Sequence, residues 1–262
     1  MKFQNHIIWI TGASSGIGFH LAKAFAKEGA TVAASARRME LLQKLVQEIQ
    51  QEGGKAQAFF CDVMEEQSIE KCLHEIIDAF GKLDVCIANA GGGVMGKIEK
   101  LSAEEWDRQL RLNVTGLALT AKYALSELRK SKGRLALIGS VAAFVPNPNL
   151  GAYGASKAAV HNIGETLQSE LLGSGVSCTT IHPGFVDSNI TRIDNEGNFH
   201  PEAKDPRPAN LMWPTDKAAK AMVKAILNRK KMVVITGHGK VMYAISRLIP
   251  SVLRKMMAKI ND

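Results

Sequence analysis

Apolar residues recur along the chain in two alternating patterns. Short runs that are almost wholly apolar are typical of strands buried on both faces, and longer stretches with apolar residues every three or four positions are typical of helices. The short runs cover residues 7–11, 31–36, 56–60, 85–88, 134–139, 176–182 and 232–236. The helical stretches cover 19–28, 40–51, 68–80, 103–129, 153–172 and 216–228. This alternation predicts a doubly wound α/β fold, with a mostly parallel seven-stranded sheet and helices on both faces.

No linker-like change of composition divides the 262 residues, so we expect a single domain over 1–262. Periodicity is lost over 186–213, where Pro201, Pro206 and Pro208 gather. A long irregular segment in a compact domain is usually functional, so we expect 186–213 to form a substrate lid. Residues 241–260 have the pattern of a basic amphipathic tail.

A glycine-rich turn follows the first predicted strand. Its sequence is Thr11-Gly12-Ala13-Ser14-Ser15-Gly16-Ile17-Gly18, and a helical pattern begins directly after it. Strand, glycine turn and helix are the context of a dinucleotide site, because the helix N-terminus offers unpaired N–H groups to a pyrophosphate. We expect Gly12 to permit the tight turn, Gly16 to let the backbone approach the pyrophosphate, and Gly18 to let the helix pack on the strand.

Tyr153 and Lys157 stand four residues apart in a helical pattern, and Ser140 ends the apolar run before them. Positions i and i+4 share one helix face, so the phenol and the ammonium should lie side by side. A neighbouring cation favours phenolate, which would lower the tyrosine pKa toward working pH and make it a general acid or base. An ordinary amphipathic helix has the same spacing, so this interpretation needs the glycine turn as support.

Together these motifs resemble the short-chain dehydrogenase/reductase family, in its compact subfamily with TGxxxGIG and YxxxK motifs. The resemblance covers nearly the whole chain. Beyond the glycine turn it rests on Asp62, Asn89-Ala90-Gly91, Asn113, Ser140, Tyr153, Lys157 and Pro183-Gly184, in the family's order. It implies a Rossmann-type domain that binds NAD(H) or NADP(H) and transfers a hydride between a carbonyl and an alcohol carbon.

The resemblance also implies four catalytic residues. Ser140 and Tyr153 would hydrogen bond to the reacting oxygen, and Tyr153 would deliver the proton. Lys157 would lower the tyrosine pKa and bond to the nicotinamide ribose. Asn113 would hold a water of a proton relay, although an asparagine in a long helix could simply face solvent.

The cofactor residues that the resemblance implies fall into four groups. In the glycine turn they are Gly12, Ser14, Ser15, Gly16, Ile17 and Gly18. At the adenine they are Asp62 and Val63, where the alternative for Asp62 is a plain helix N-cap. Along the middle of the cofactor they are Asn89, Ala90 and Gly91. At the nicotinamide they are Tyr153, Lys157, Pro183, Gly184, Val186 and Ser188.

The end of the second strand indicates which dinucleotide is bound. An acidic residue there would bond the ribose diol of NAD(H), but the strand ends in Ala36 and is followed by Arg37 and Arg38. A guanidinium matches a phosphate bidentately, so we expect NADPH rather than NADH. The alternative is a solvated arginine pair that begins the next helix. Ser15 is not the basic residue that accompanies the strongest NADP(H) pattern.

Apolar side chains near the expected catalytic edge suggest the substrate. Phe144, Phe185 and Trp213 could form apolar walls beside Ser140, which predicts a hydrophobic carbonyl or alcohol substrate. The alternative is that these aromatics pack the lid onto the core. His161 and His182 have no paired acid in view and are interpreted as structural. No cluster has metal-ligand spacing.

Charge and cysteine content restrict the partners. The net charge of +8 is spread without aromatic interleaving, which argues against nucleic acid. No charged-then-apolar leader and no apolar stretch of about 18 to 20 residues is present, and the cysteines form no CxxC pair, so we expect a reduced, cytoplasmic protein. The resemblance implies a homodimer or homotetramer. The tail over 241–260 could contact an anionic membrane, cap the cleft or lie in a subunit interface, and Pro250 within it predicts a kink or a join of two helices.

Three functions remain open from the sequence. The first is an NADPH-dependent carbonyl reductase. The second is a membrane-associated lipid-ketone reductase of the 3-oxoacyl or sphingoid type, which differs in the behaviour of the tail. The third is a non-catalytic NADP(H)-binding scaffold or sensor, since fold alone does not fix function. The complete set of Asn113, Ser140, Tyr153 and Lys157 favours an enzyme.

Overall fold

The computed structural model describes residues 1–251 and 253, in which seven strands alternate with eight α-helices. The strands are β1 (Ile7–Thr11), β2 (Thr31–Ala36), β3 (Lys55–Phe60), β4 (Val85–Ala88), β5 (Arg134–Ile138), β6 (Ser177–Pro183) and β7 (Met232–Ile235). The helices are α1 (Gly16–Lys27), α2 (Met39–Gln51), α3 (Glu66–Phe80), α4 (Ala103–Leu110), α5 (Gly116–Ser131), α6 (Gly151–Glu170), α7 (Thr215–Leu227) and α8 (Gly237–Leu248).

The strands form one parallel sheet in the order β3-β2-β1-β4-β5-β6-β7. In its register Ile8 of β1 lies opposite Val32 on one side and Val85 on the other. The strand order reverses between β1 and β4, so a crevice opens beyond the carboxyl ends of these two strands. The doubly wound Rossmann-type fold predicted from the sequence is confirmed.

Two hydrophobic cores lie on opposite faces of the sheet. Ile8 and Ile10 point into one core with Phe25 of α1, whereas Trp9 points into the other with Leu117 of α5. Successive residues of a strand face opposite sides, so a strand buried on both faces must be continuously apolar. Each fully buried side chain of this size contributes roughly 1.5–3 kcal/mol.

Several element boundaries differ from the prediction. Helix α1 begins at Gly16, three residues before the predicted start at Phe19, because its glycine-rich first turn carries little apolar signal. The helical stretch predicted over 103–129 is present, but a π-helical turn, Arg111–Thr115, divides it into α4 and α5. Apolar periodicity does not reveal a widened turn inside a helical run. Most other ends differ by one or two residues.

The carboxyl-terminal part of the chain holds α8, which was predicted only as a tail from residue 241. Helix α8 ends at Leu248, and Pro250 and Ser251 are helical again, so Pro250 lies at a join of two helices. Part of the tail interval 241–260 lies outside the described residues. Within residues 1–251 and 253, no helix has both the length and the apolar character needed to cross a bilayer. All four cysteines are buried free thiols.

Candidate active site

The glycine turn between β1 and α1 is shaped by positions that have no room for a side chain. Gly12 and Gly16 have φ angles of +67° and +56°, a region that favours glycine. A Cβ on Gly12 would lie 2.8 Å from the Ala90 Cα, and a Cβ on Gly18 would lie 2.4 Å from the Gly12 carbonyl oxygen. The turn therefore forms a backbone cradle at the first N–H groups of α1, which fits a pyrophosphate.

The turn is tied to the end of β4 by two polar side chains. The Thr11 hydroxyl accepts hydrogen bonds from the N–H groups of Asn89 and Ala90, at 3.1 and 3.2 Å. The Asn89 amide donates to the carbonyl oxygens of Thr11 and Gly12, at 2.8 and 3.3 Å. These bonds hold the two sides of the crevice in register.

The two arginines after β2 have different partners. The Arg38 guanidinium donates to the hydroxyls of Ser14 and Ser15, at 3.1 and 3.0 Å, and so lies over the glycine turn. Arg37 is 54 % exposed and lies 3.8 Å from the Asp62 carboxylate. Both cations therefore stand beyond the carboxyl end of β2, and Arg38 is the nearer one to the cradle.

Asp62 does not cap a helix. Its carboxylate accepts from the Met64 N–H at 3.0 Å and forms a turn, whereas α3 starts at Glu66 after Glu65. The N-cap alternative considered for Asp62 is therefore wrong. The neighbouring Val63 is buried, and its carbonyl oxygen would lie 2.5 Å from a Cβ on Gly116 of α5.

Ser140, Tyr153 and Lys157 come together where β5 ends and α6 begins. Lys157 is 5 % exposed, and its Nζ donates to the Ile138 carbonyl at 2.9 Å and lies 5.7 Å from the centroid of the Tyr153 ring. The Ser140 hydroxyl accepts from the Ala142 N–H at 3.1 Å, which fixes its place at the strand end. A Cβ on Gly91 would lie 3.6 Å from the Lys157 Nζ, so the lysine also reaches the loop after β4.

Burial controls the protonation of both groups. It raises the pKa of Tyr153, and the Ser140 hydroxyl and the Arg207 charge act in the opposite direction with smaller effect. Burial also lowers the pKa of Lys157 to about 8. The sequence predicted a lowered tyrosine pKa, and this direction is wrong for the protein alone, because desolvation of the phenol outweighs the hydrogen bond with Ser140 and the charge of Arg207. The phenol is therefore protonated at neutral pH.

Asn113 lies in the π-helical turn and is fully buried, so the solvent-facing alternative is wrong. Its amide binds both backbone groups of Gly92, accepting from the N–H at 3.0 Å and donating to the carbonyl at 2.9 Å. It also donates to the Ser156 hydroxyl at 3.0 Å. Asn113 thus connects the loop after β4 to α6, and the widened turn sets its position.

The segment after β6 lies against the glycine turn. A Cβ on Gly16 would lie 3.5 Å from the Ser188 Cβ. The Gly184 N–H donates to the Ile235 carbonyl at 3.2 Å, and Pro183 pairs with the same residue in the sheet. Val186 is buried and bridges to Trp213. The residues assigned to the nicotinamide end therefore border the same crevice as the cradle.

Asn195 joins the segment 186–213 to the loop after β4. The sequence did not predict this role. Its amide pairs with both backbone groups of Met95, at 2.8 and 3.0 Å, and also donates to the Glu105 carboxylate. The other oxygen of Glu105 accepts from the Ser102 N–H and closes the capping box of α4. Two apolar residues that were not predicted from the sequence, Met95 and Ile190, lie near Tyr153. Each would be 3.9 Å from a Cβ on Gly93.

The three aromatics predicted as substrate walls have other contacts. Trp213 packs on the core with Lys217 above its ring, and Phe185 stacks on His238 with centroids 5.1 Å apart. Phe144 lines a cavity of about 570 Å³ with Gly154 and other small residues of α6. Neither Tyr153 nor Ser140 lines this cavity. These contacts match the alternative that the aromatics pack the lid and the loops.

His161 and His182 form an aromatic cluster with Phe144 behind Ser140. Burial lowers the pKa of both imidazoles, that of His182 to about 4. His182 Nδ1 lies 3.0 Å from the Ser140 carbonyl oxygen, so the ring supports the backbone of the catalytic candidate. Within the described part of the chain, no group of three or more His, Cys, Asp or Glu side chains could hold a metal ion.

The parallel sheet and the glycine turn define a Rossmann-type α/β fold. The family model for short chain dehydrogenases matches residues 6–198. The chain belongs to this family of oxidoreductases, which confirms the family that the motifs resemble.

Relatives and solved structures agree with this assignment. The probable oxidoreductase EphD of Mycobacterium tuberculosis is 31% identical over 96% of this chain, which spans only 44% of that protein. An uncharacterized oxidoreductase of Staphylococcus epidermidis is 34% identical over 72% of this chain and 82% of its own length.

The solved structures include enzymes with either dinucleotide. An alcohol dehydrogenase from Thermococcus sibiricus, complexed with 5-hydroxy-NADP, has a TM-score of 0.77 and 28% identity over 88% of this chain and 96% of its own. A short chain dehydrogenase/reductase from Burkholderia phymatum, in complex with NAD, has a TM-score of 0.84 at 23% identity over 98% of this chain and 96% of its own, which supports the fold alone.

Proposed function

We propose that the protein is an NADPH-dependent carbonyl reductase. The observation that carries this proposal is the convergence of Ser140, Tyr153 and Lys157 beside the crevice that the glycine cradle lines. A scaffold that only binds nucleotide has no need of a buried ammonium beside a tyrosine at this place, since burying a charged group is costly.

The mechanism follows from the protonation of the site. The bound nicotinamide supplies the hydride. Ser140 and Tyr153 donate hydrogen bonds to the carbonyl oxygen as negative charge develops on it, and the protonated Tyr153 then delivers its proton. Lys157 places a positive charge one helical turn away, and Asn113 holds the loop after β4 in register with α6.

The preference for NADPH rests on Arg37 and Arg38. Arg38 binds the two serine hydroxyls of the glycine turn, which supports a contact of its guanidinium with the 2′-phosphate of NADPH. Ala36, at the end of β2, has no carboxylate to repel that phosphate. The family also includes NAD enzymes, and NADH is the weaker candidate.

The proposed substrate is a hydrophobic ketone or aldehyde. Gly93, Met95 and Ile190 lie beside the Tyr153 ring and give this side of the proposed site an apolar border. A small-molecule substrate, a homodimer or homotetramer and a cytoplasmic location complete the proposal.

A membrane-associated lipid-ketone reductase is the second candidate. On α8, Val241 and Leu248 are 58% and 79% exposed, and Lys240 and Arg247 lie on the same exposed stripe of the helix. An exposed apolar stripe with basic residues can lie on an anionic bilayer. Sedimentation with anionic and neutral liposomes separates the two candidates, because only the second predicts cosedimentation with anionic liposomes.

An NADPH-oxidation screen over ketones of graded chain length tests the primary proposal. We expect turnover that rises with apolar length, and no turnover in the Tyr153→Phe variant. Turnover restricted to small charged ketones would contradict the substrate class. Absence of turnover with every carbonyl, together with tight NADPH binding, would favour a non-catalytic role.

A further inference from the structure

One lid side chain, Arg207, binds the backbone of the segment 186–188. Its Nη1 donates to the Val186 carbonyl at 2.9 Å, and its Nη2 donates to the Ser188 carbonyl at 2.8 Å. Its Nε and Nη2 also donate to the Asp205 carboxylate, at 2.8 and 2.6 Å. The Arg207 side chain is 14% exposed. The guanidinium therefore connects the two ends of the lid.

The donors of this guanidinium are used within the protein. A guanidinium has five N–H groups in a rigid fork, and those of Arg207 reach Val186, Ser188 and Asp205. The hydrogen bond with Arg207 is the main reason why the pKa of Asp205 is lowered. Since its donors are engaged in this way, Arg207 fixes backbone geometry rather than receiving an anionic substrate. A lysine in its place would keep the charge but lose the fork.

The backbone of Asp187, between Val186 and Ser188, is also held by hydrogen bonds. The Asp187 N–H donates to the Trp213 carbonyl at 3.0 Å, and the Asp187 carbonyl accepts from the Thr215 hydroxyl. All three carbonyls of 186–188 are thus held by the protein. The N–H groups of Val186 and Ser188 have no acceptor among residues 1–251 and 253. Two donors are therefore left for a ligand in the crevice, next to the glycine turn.

The charge of Arg207 also acts on Tyr153, the proposed proton donor. The groups that face the Tyr153 phenol are Ser140 from the end of β5, Lys157 from α6 and Arg207 from the lid. The charge of Arg207 lowers the pKa of Tyr153 against the larger effect of burial. Arg207 and the Ser140 hydroxyl thus act on the Tyr153 pKa in the same direction.

We propose, on the basis of the function proposed above, that Arg207 is a positioning residue for the nicotinamide half of the cofactor. By holding the carbonyls of Val186 and Ser188, it directs the N–H groups of these two residues into the crevice. Asp205 orients the fork. The adenosine half of the cofactor is bound at the far end of the crevice and does not depend on Arg207.

The test compares two ligands in the Arg207→Lys and Asp205→Asn variants of the full chain. NADPH contains the nicotinamide, whereas adenosine 2′,5′-bisphosphate contains only the adenosine half. We expect the dissociation constant of NADPH to rise about tenfold or more, as for the loss of hydrogen bonds from a charged donor. The dissociation constant of adenosine 2′,5′-bisphosphate should not change. Arg192→Lys, at an exposed arginine of the same lid, is the matched control and should change neither constant.

A second readout separates positioning from a merely structural role. Arg207→Gln removes the charge, so the kinetic pKa assigned to Tyr153 should rise, while Arg207→Lys should leave that pKa nearer to the wild-type value. Unchanged NADPH affinity in both Arg207→Lys and Asp205→Asn would overturn the proposal. Equal losses for the two ligands would also overturn it, because they would indicate a general loss of structure.

Other results would show that the reductase assignment is wrong rather than the role proposed for Arg207. If the wild-type protein binds NADPH but reduces no carbonyl, the reductase assignment fails, and the comparison of ligand affinities still tests Arg207. If the wild-type protein binds adenosine 2′,5′-bisphosphate and NADPH equally well, the nicotinamide makes no contact to position, and the inference about Arg207 fails by itself.

Discussion

The Lys157 Nζ donates its hydrogen bond to the Ile138 carbonyl, at 2.9 Å, and lies 5.7 Å from the Tyr153 ring centroid. The lysine is thus held by the end of β5 and faces the tyrosine without bonding to its hydroxyl. Burial, rather than the charge of this lysine, sets the direction in which the Tyr153 pKa is shifted. The hydroxyl is left for Ser140 and for a substrate.

Tyr153→Phe removes the proposed proton donor without changing the size of the ring. We expect turnover to fall at least about a hundredfold, the scale of general acid catalysis, while the dissociation constant of NADPH stays the same. Steady-state rates and fluorescence titration of NADPH measure the two quantities. Retained turnover would remove Tyr153 from the mechanism. Tyr123→Phe, at a partly buried tyrosine of α5 whose hydroxyl bonds to Glu66, serves as the control.

Lys157→Met should stabilise the protein without cofactor while abolishing its turnover. Burial lowers the Lys157 pKa from 10.5 to about 8, so the folded state disfavours the charged ammonium. This penalty is fully present below about pH 8 and disappears as the pH rises toward 10.5, and at neutral pH it amounts to about 3 kcal/mol. The loss of the bond to Ile138 offsets part of the gain. Chemical denaturation at pH 7 and pH 10 should show a stability difference that shrinks at the higher pH.

Arg38→Ala should reduce the preference for NADPH over NADH more than Arg37→Ala does. Arg38 lies on the two serines of the glycine turn, whereas Arg37 is exposed beside Asp62. A charge-assisted bond to the 2′-phosphate is worth about 1.5–3 kcal/mol, or roughly a tenfold to hundredfold change in the NADPH dissociation constant. Titrations of both variants with NADPH and NADH measure the ratio. If neither variant changes the ratio, the arginines do not select the cofactor.

Gly18→Ala should weaken dinucleotide binding by closing the turn. The added Cβ would lie 2.4 Å from the Gly12 carbonyl oxygen and 2.6 Å from the Asn89 amide nitrogen, so the backbone of the cradle must shift. We expect a lower melting temperature as well as weaker NADPH binding. Gly237→Ala, which meets no atom within 4 Å, is the control and should change neither. Normal NADPH affinity in Gly18→Ala would show that the turn does not hold the cofactor.

The sequence predicted the parts of this protein that depend on local patterns. Short, mainly apolar runs located the strands of the sheet, most clearly the central strands β1 and β4, which are buried on both faces. The motif residues Gly12, Tyr153 and Lys157 were found because their spacing carries the chemistry. The protonation of Tyr153 was not predicted correctly, since burial depends on the whole fold and outweighs a neighbour that can be seen in the sequence.

Other features had no signal in the sequence. Arg207 lies in a proline-rich stretch without periodicity, and its partners Val186 and Ser188 are about twenty positions away. Asn195 meets Met95 across a separation of 100 residues. Such contacts join segments that only the folded sheet brings together. The same applies to Phe144, whose neighbours come from α6, β6 and α8.

The two oxygens of Glu105 have separate duties, one at the start of α4 and the other at Asn195 of the lid. Glu105 therefore supports both the start of α4 and the segment 186–213 through Asn195. A substitution of Glu105 would lower the melting temperature. It would also change the rates at which ligands bind and dissociate. Substitutions in α4 would therefore change the rates at which substrates bind and leave without changing the proposed catalytic residues.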